Sequence, residues 1–286
     1  CLALLNPGDE AIIPAPYWVS YPDMVRLADA EPVIIETGIE QHFKITPEQL
    51  AATITERTRL LILNNPSNPT GACYNKAEMA ALGAVIEQHP DIVVLSDDIY
   101  EHIYWAPDPF VSFATACPSL MERTVTTNGV SKAYAMSGWR IGYAAGPQEL
   151  INAMKTIQSQ STTNACSISQ AAAVEALNGD QTCVREMASA YHKRHDYFVE
   201  ALNAIEGFEC RPSEGAFYAF PRVQGVLDAR GMKDDIELVE FLLNEADVAA
   251  VPGSAFGAPG YVRFSFACSM EMLEESLRRI KRAVMA

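Results

Sequence analysis

Six short apolar runs, closed by polar, glycine or proline residues and separated by helical stretches, limit this chain to an open sheet of buried strands joined by crossovers. The runs are Glu10 to Pro14, Pro32 to Glu36, Leu60 to Asn64, Ile92 to Ser96, Thr124 to Asn128 and Ile141 to Ala145. Each has strand length and is too short for a buried helix. Between them, Trp18 to Ala28, Thr46 to Ile54 and Lys76 to His89 read as helices. The last has an apolar face at Met79, Leu82, Val85 and Ile86. Such alternation predicts an α/β fold with a mostly parallel sheet between layers of helices.

After Pro147 the pattern turns helical, over Gln148 to Ser159, Ser169 to Leu177 and Thr182 to Ile205. The last stretch has no internal glycine or proline and can bridge two domains. From Gly207 onward, strands at Ala216 to Phe220, Val248 to Val251 and Val262 to Phe266 interleave with helices at Asp234 to Ala246 and Met270 to Val284, a smaller α+β unit. At 286 residues and 49% hydrophobic content, the chain passes the size at which one core usually divides. The expected division is a large domain over 1–192 and a small one over 193–286.

A net charge of -15 removes the basic stripe that nucleic acid or an anionic membrane surface needs. No apolar run is long enough to span a bilayer, and no secretion signal opens the chain. Seven scattered cysteines without C-x-x-C spacing indicate neither a disulfide framework nor zinc, and a reducing cytoplasm is expected. His89, His192 and His195 lack metal-ligand spacing.

The polar signals gather where ligands bind in such folds, beyond the carboxyl ends of the strands. Asn64 to Gly71 follows one strand as a proline-rich loop that can aim an asparagine inward, or is a plain turn. Asp97 and Tyr100 follow the next strand. A carboxylate there can keep a pyridine nitrogen protonated and a phenol can stabilise a ring oxygen; the alternative is a helix cap. Lys132 lies in a turn of small residues beyond a third strand, near Arg140, whose charge favours loss of the lysine proton and whose planar fork suits a phosphate. Taken alone, such a lysine is more often a surface residue. Arg263, among apolar strand residues, needs an anion, either a substrate carboxylate or an internal acid. Trp18 can stack on a flat ring or fill the core. An amine set among an acid, a phenol and an amide points to an aldehyde cofactor, pyridoxal phosphate.

Taken in order, Pro16-Tyr17-Trp18-Val19-Ser20-Tyr21-Pro22, Asn65 to Gly71, Ser96-Asp97-Asp98-Ile99-Tyr100-Glu101-His102, Ser131-Lys132 through Gly138-Trp139-Arg140-Ile141-Gly142, and Val262-Arg263-Phe264-Ser265 resemble the motif series of class I (fold type I) pyridoxal-phosphate aminotransferases, with the bacterial aspartate group nearest. Gln158 to Asn164 and Pro212 to Tyr218 extend the likeness over essentially the whole chain. The resemblance implies a seven-stranded-type sheet, pyridoxal 5'-phosphate as cofactor, and a homodimer with active sites at the subunit boundary. It implies Lys132 as Schiff-base lysine and proton shuttle, and Asp97 as partner of the pyridinium nitrogen. Tyr100 and Asn68 would meet the ring oxygen, Trp18 would stack on the ring, and Arg140 and Ser131 would hold the phosphate. Arg263 would take the substrate α-carboxylate, with Asn68 and Trp18 beside it.

Two departures stand out. Gly129 occupies a position where the family often has a second serine, and Asp98 replaces the usual glutamate. The family also has a further portion upstream of the segment matching Cys1, with a phosphate-binding loop and residues that cross the dimer. The implied activity is ping-pong transfer of an amino group between an L-amino acid, aspartate first, and a 2-oxo acid, 2-oxoglutarate first. An aromatic or prephenate-type aminotransferase, a β-eliminating lyase on the same scaffold, and the effector domain of a transcription regulator are the competing readings.

Overall fold

The computed structural model describes residues 1–285. Its first half contains β1 (Glu10–Pro14), α1 (Ser20–Arg26), β2 (Glu31–Ile35), α2 (Pro47–Thr53), β3 (Thr58–Asn64), α3 (Lys76–Glu87), β4 (Val93–Asp97), α4 (Phe113–Ala116), β5 (Thr124–Gly129) and β6 (Gly142–Ala145). The strands lie in the order β2-β1-β3-β4-β5-β6. The first five run parallel and β6 returns antiparallel to β5. The expected seven-strand sheet therefore has six strands among the described residues.

Because side chains alternate along a strand, neighbouring residues feed different cores. Ile12, Leu61, Leu63 and Val94 meet Leu50, Met79, Leu82, Ile86 and Phe113 on one face. Ala11, Ile13, Leu60 and Ile62 meet Tyr21 and Val25 of α1, and Ala28 just beyond it, on the other. Reciprocal capping boxes, Thr46 with Gln49 and Asn75 with Glu78, start α2 and α3. The helix expected from Trp18 begins only at Ser20, after a tight turn in which the Tyr21 amide donates to the Trp18 carbonyl at 3.0 Å.

The second half adds α5 (Gln148–Gln160), α6 (Ser167–Asn178), α7 (Thr182–Asn203), β7 (Tyr218–Ala219), α8 (Gln224–Arg230), α9 (Asp235–Ala246), β8 (Val251–Pro252), β9 (Val262–Ser265) and α10 (Met270–Met285). A separate antiparallel sheet, β7-β9-β8, packs with α7, α9 and α10 around Phe198, Leu202, Leu238, Leu242, Phe264 and Leu277. Its strands are shorter than the sequence suggests. Ala216 takes a left-handed φ of 59°, which breaks the extended run. Val248 is drawn into the end of α9, its amide bonding the Leu242 carbonyl at 3.1 Å after Asp247 turns left-handed. By contrast α5 buries no residue.

His195, on α7, is buried and anchors the segment that crosses to the first half. Its Nε2 accepts from the Ser213 amide at 2.9 Å, so Nδ1 carries the proton toward Asp196 Oδ1, also at 2.9 Å. The next two amides, of Glu214 and Gly215, donate to the Gly71 carbonyl at 3.2 and 3.1 Å. Gly71 has φ +67°, and a Cβ there would lie 2.5 Å from the Gly215 carbonyl oxygen, so this crossing needs glycine.

Candidate active site

Three strand ends converge at the carboxyl edge of the main sheet. Asn64 ends β3 in register with Asp97 at the end of β4, and Gly129 ends β5 three residues before Lys132. The Asn64 side chain bridges its neighbours. Its Nδ2 donates to the Asp97 carbonyl at 2.8 Å, and its Oδ1 accepts from the Asn68 amide at 2.7 Å. Asn68 is thereby held inward, and its Oδ1 accepts from Arg263 Nη1 at 2.9 Å.

No helix follows Asp97, so the capping alternative falls away. Asp97 Oδ2 accepts from the Tyr21 hydroxyl at 2.6 Å, while Oδ1 has only a long bond from the Ile99 amide at 3.3 Å. Burial pushes the Asp97 carboxyl up; the Tyr21 hydrogen bond, the Ile99 amide and Lys132 oppose that rise. The buried Tyr100 hydroxyl shares a 2.9 Å hydrogen bond with that of Tyr218.

Lys132 is half-buried, its Nζ 5.7 Å from the Tyr100 ring centre and 5.8 Å from that of Phe217. Burial first, then Arg263 and Arg140, lower its pKa, with Asp97 pulling the other way. Of the two arginines, Arg263 has the larger influence on this amine. These forces favour the free amine, the form that can accept a proton or attack a carbonyl.

Arg263 forms no ion pair with an internal acid among the described residues. Its guanidinium lies 4.5 Å from the Tyr218 ring centre and 4.8 Å from that of Phe256, and its buried Nε has no partner. A buried orphan donor is costly unless an anion meets it. Arg140 is exposed, in a left-handed conformation with φ 51°, its Nη1 donating to the Ser137 carbonyl at 2.8 Å. Ser131 is half-buried next to Lys132. Trp18 is half-buried too, edge-on to Tyr21 at 5.4 Å. Tyr21, Asn64, Phe217 and Tyr218 were not singled out from the sequence, although Tyr21 and Asn64 lie in stretches that carry other site residues and Phe217 and Tyr218 in the Pro212 to Tyr218 stretch that extends the likeness.

The two departures have visible settings. At Gly129 a Cβ would come within 3.0 Å of the Ile141 carbonyl oxygen, where β6 turns back on β5. Asp98 is buried; its Oδ1 accepts from the Ser96 hydroxyl at 2.6 Å and its Oδ2 has no partner. Burial, with Glu101 and Asp97 nearby, pushes this carboxyl up to about 7. A raised folded-state value means that the stability tied to Asp98 is whole below the carboxylate's ordinary pKa and is lost as pH climbs through about 7. Asp98→Asn should therefore flatten that decline. Urea midpoints at about pH 5 and about pH 8.5 should show wild type losing on the order of 2–4 kcal/mol more than the variant. Parallel pH profiles would disprove the assignment.

An amine, a carboxylate and an amide thus meet at adjoining strand ends, faced by an orphan guanidinium, on a mostly parallel α/β sheet. The chain belongs to the aminotransferases of class I and II, whose family description matches residues 1–280, and it is a transaminase. It is 54% identical over 285 residues to the aspartate/prephenate aminotransferase of Nitrosomonas europaea, covering 98% of this chain and 72% of that protein. The crystal structure of the aspartate aminotransferase from Rhizobium meliloti superposes with a TM-score of 0.95 at 49% identity, covering 99% of this chain and 72% of that one. That of the aromatic aminotransferase from Pyrococcus horikoshii superposes with a TM-score of 0.93 at 38% identity, covering 99% and 75%. The family is generally pyridoxal-phosphate dependent. Among the described residues no helix is long and apolar enough to cross a membrane.

Proposed function

We propose that this cleft binds pyridoxal 5'-phosphate and transfers an amino group between L-aspartate and 2-oxoglutarate, with prephenate as a further acceptor. The observation that carries the reading is the joining of Lys132, Asp97, Asn68 and Arg263 from distant parts of the chain. The donor set fits such a cofactor. Lys132 offers an amine of lowered pKa, Asp97 a carboxylate with a lightly used oxygen, and Tyr100 and Asn68 polar groups for a ring oxygen. Trp18 would face the ring, and Ser131 and Arg140 would take phosphate oxygens.

When bound, the cofactor supplies an aldehyde that captures amines and a ring that draws electron density from the substrate. Arg263 would fix the substrate α-carboxylate through its planar fork, on a guanidinium already seated between Tyr218 and Phe256. Lys132 Nζ, as a free base, would take the Cα proton and return it on the other side of the exchange. Asp97 would stay charged opposite a protonated ring nitrogen.

Dicarboxylate preference rests on the names of the relatives. The family resemblance supports a homodimer, and the exposed Trp139, Tyr143, Ile168 and Leu177 are apolar surface that a second subunit could cover. Separate cores on either side of α7 fit a large domain over 1–192 and a small one over 193–286. Seven free cysteines suit a reducing cytoplasm.

A donor panel with 2-oxoglutarate tests the assignment, beside prephenate offered with glutamate or aspartate. Aspartate is expected to be consumed in a cofactor-dependent, ping-pong reaction. Turnover of aromatic donors with none on aspartate would reject the dicarboxylate reading. Pyruvate release from a cysteine conjugate without an oxo acid would favour the lyase.

A further inference from the structure

We propose that Tyr21 is a positioning residue for the amino-transfer chemistry, fixing the Asp97 carboxylate in place and keeping it charged for the nitrogen of the bound ring. This rests on the cofactor reading above. Tyr21 reaches Asp97 from α1, across 76 positions of sequence, and its hydroxyl lies 2.6 Å from Oδ2. Its ring is 4% exposed, packed with Ile13, Val25 and Ile62 and braced edge-on by Trp18. The hydroxyl is thus held by a rigid wall, and hydrogen bonds to a charged acceptor in such a setting are among the stronger ones.

The arrangement leaves a use for each oxygen. Oδ2 is engaged by the phenol, whereas Oδ1 has only the long Ile99 contact and retains acceptor capacity. Three titratable groups bear on this pair besides the two partners themselves: Lys132, Tyr100 and Asp98. Burial and Asp97 push the Tyr21 phenol far above its ordinary value, so it remains a donor at any working pH. The same hydrogen bond opposes the rise that burial imposes on Asp97. A tyrosine that merely filled the core would be replaced by phenylalanine without effect on Asp97.

Carbon-13 NMR of the Asp97 carboxyl in the cofactor-free protein, identified with Asp97→Asn, reads the effect directly. Tyr21→Phe should raise its midpoint by about one pH unit. Replacing Tyr21 by 3-fluorotyrosine, a stronger donor of nearly the same shape, should lower it and decides the matter if the phenylalanine variant does not fold. An unmoved midpoint in both would overturn the proposal. With pyridoxal 5'-phosphate added, Tyr21→Phe should weaken binding about tenfold in wild type and not in an Asp97→Asn background. Equal weakening in both backgrounds, or equal binding by wild type and Tyr21→Phe, would overturn the role of Tyr21 alone. A wild-type protein that forms no Lys132-dependent adduct would overturn the cofactor reading instead.

Discussion

Replacing Lys132 by alanine is expected to lower kcat/KM for transamination by about 10^4-fold, the upper end of what a positioned acid–base group contributes. The effect should be this large because Lys132 is the amine whose charge is disfavoured by burial and by Arg263 and Arg140 together. Lys132→Arg should be almost as damaging. A guanidinium keeps its proton at every accessible pH and cannot serve as the base. Steady-state assay of both variants, with their unfolding transitions measured alongside, checks this. Activity within about tenfold of wild type in either would remove Lys132 from the proton path.

Arg263→Lys should raise KM for the amino acid and lower kcat/KM by about 30- to 1000-fold, equivalent to about 2–4 kcal/mol. Charge alone does not replace this arginine. Its guanidinium lies over the Tyr218 and Phe256 rings while Nη1 holds Asn68 and Nε waits unpaired, and a single ammonium nitrogen cannot reproduce the spread of donors along that planar fork. Because Asn68 also loses its partner, kcat should fall along with the rise in KM. A variant with altered KM and intact kcat would mean that the Asn68 contact has no part in turnover.

The strand pattern was legible because each buried strand is a compact apolar run with polar punctuation, and the structure has β1, β3 and β5 within two residues of the expected bounds. The short strands β7 and β8 were not, since backbone turns at Ala216 and Asp247, which no hydropathy pattern records, cut them down. In the site, Asp97 and Tyr100 stood out by following a long apolar strand. Tyr21 and Tyr218 did not: in sequence they are aromatic residues like any core residue, and only the folded chain aims their hydroxyls at Asp97 and Tyr100. His195 similarly reads as an unremarkable helix residue, because its partner, the Ser213 amide, lies beyond the end of α7 and has no sequence signature.

The chain of contacts from His195 through Ser213 and the Glu214 and Gly215 amides to Gly71 has an evolutionary corollary. A drift at position 195, remote from every reacting atom, would surface as a fault in the loop that presents Asn68. Lineages should therefore keep at 195 a side chain that accepts from the 213 amide, and glycine at 71, while 213 itself can change to any residue that retains a backbone N–H.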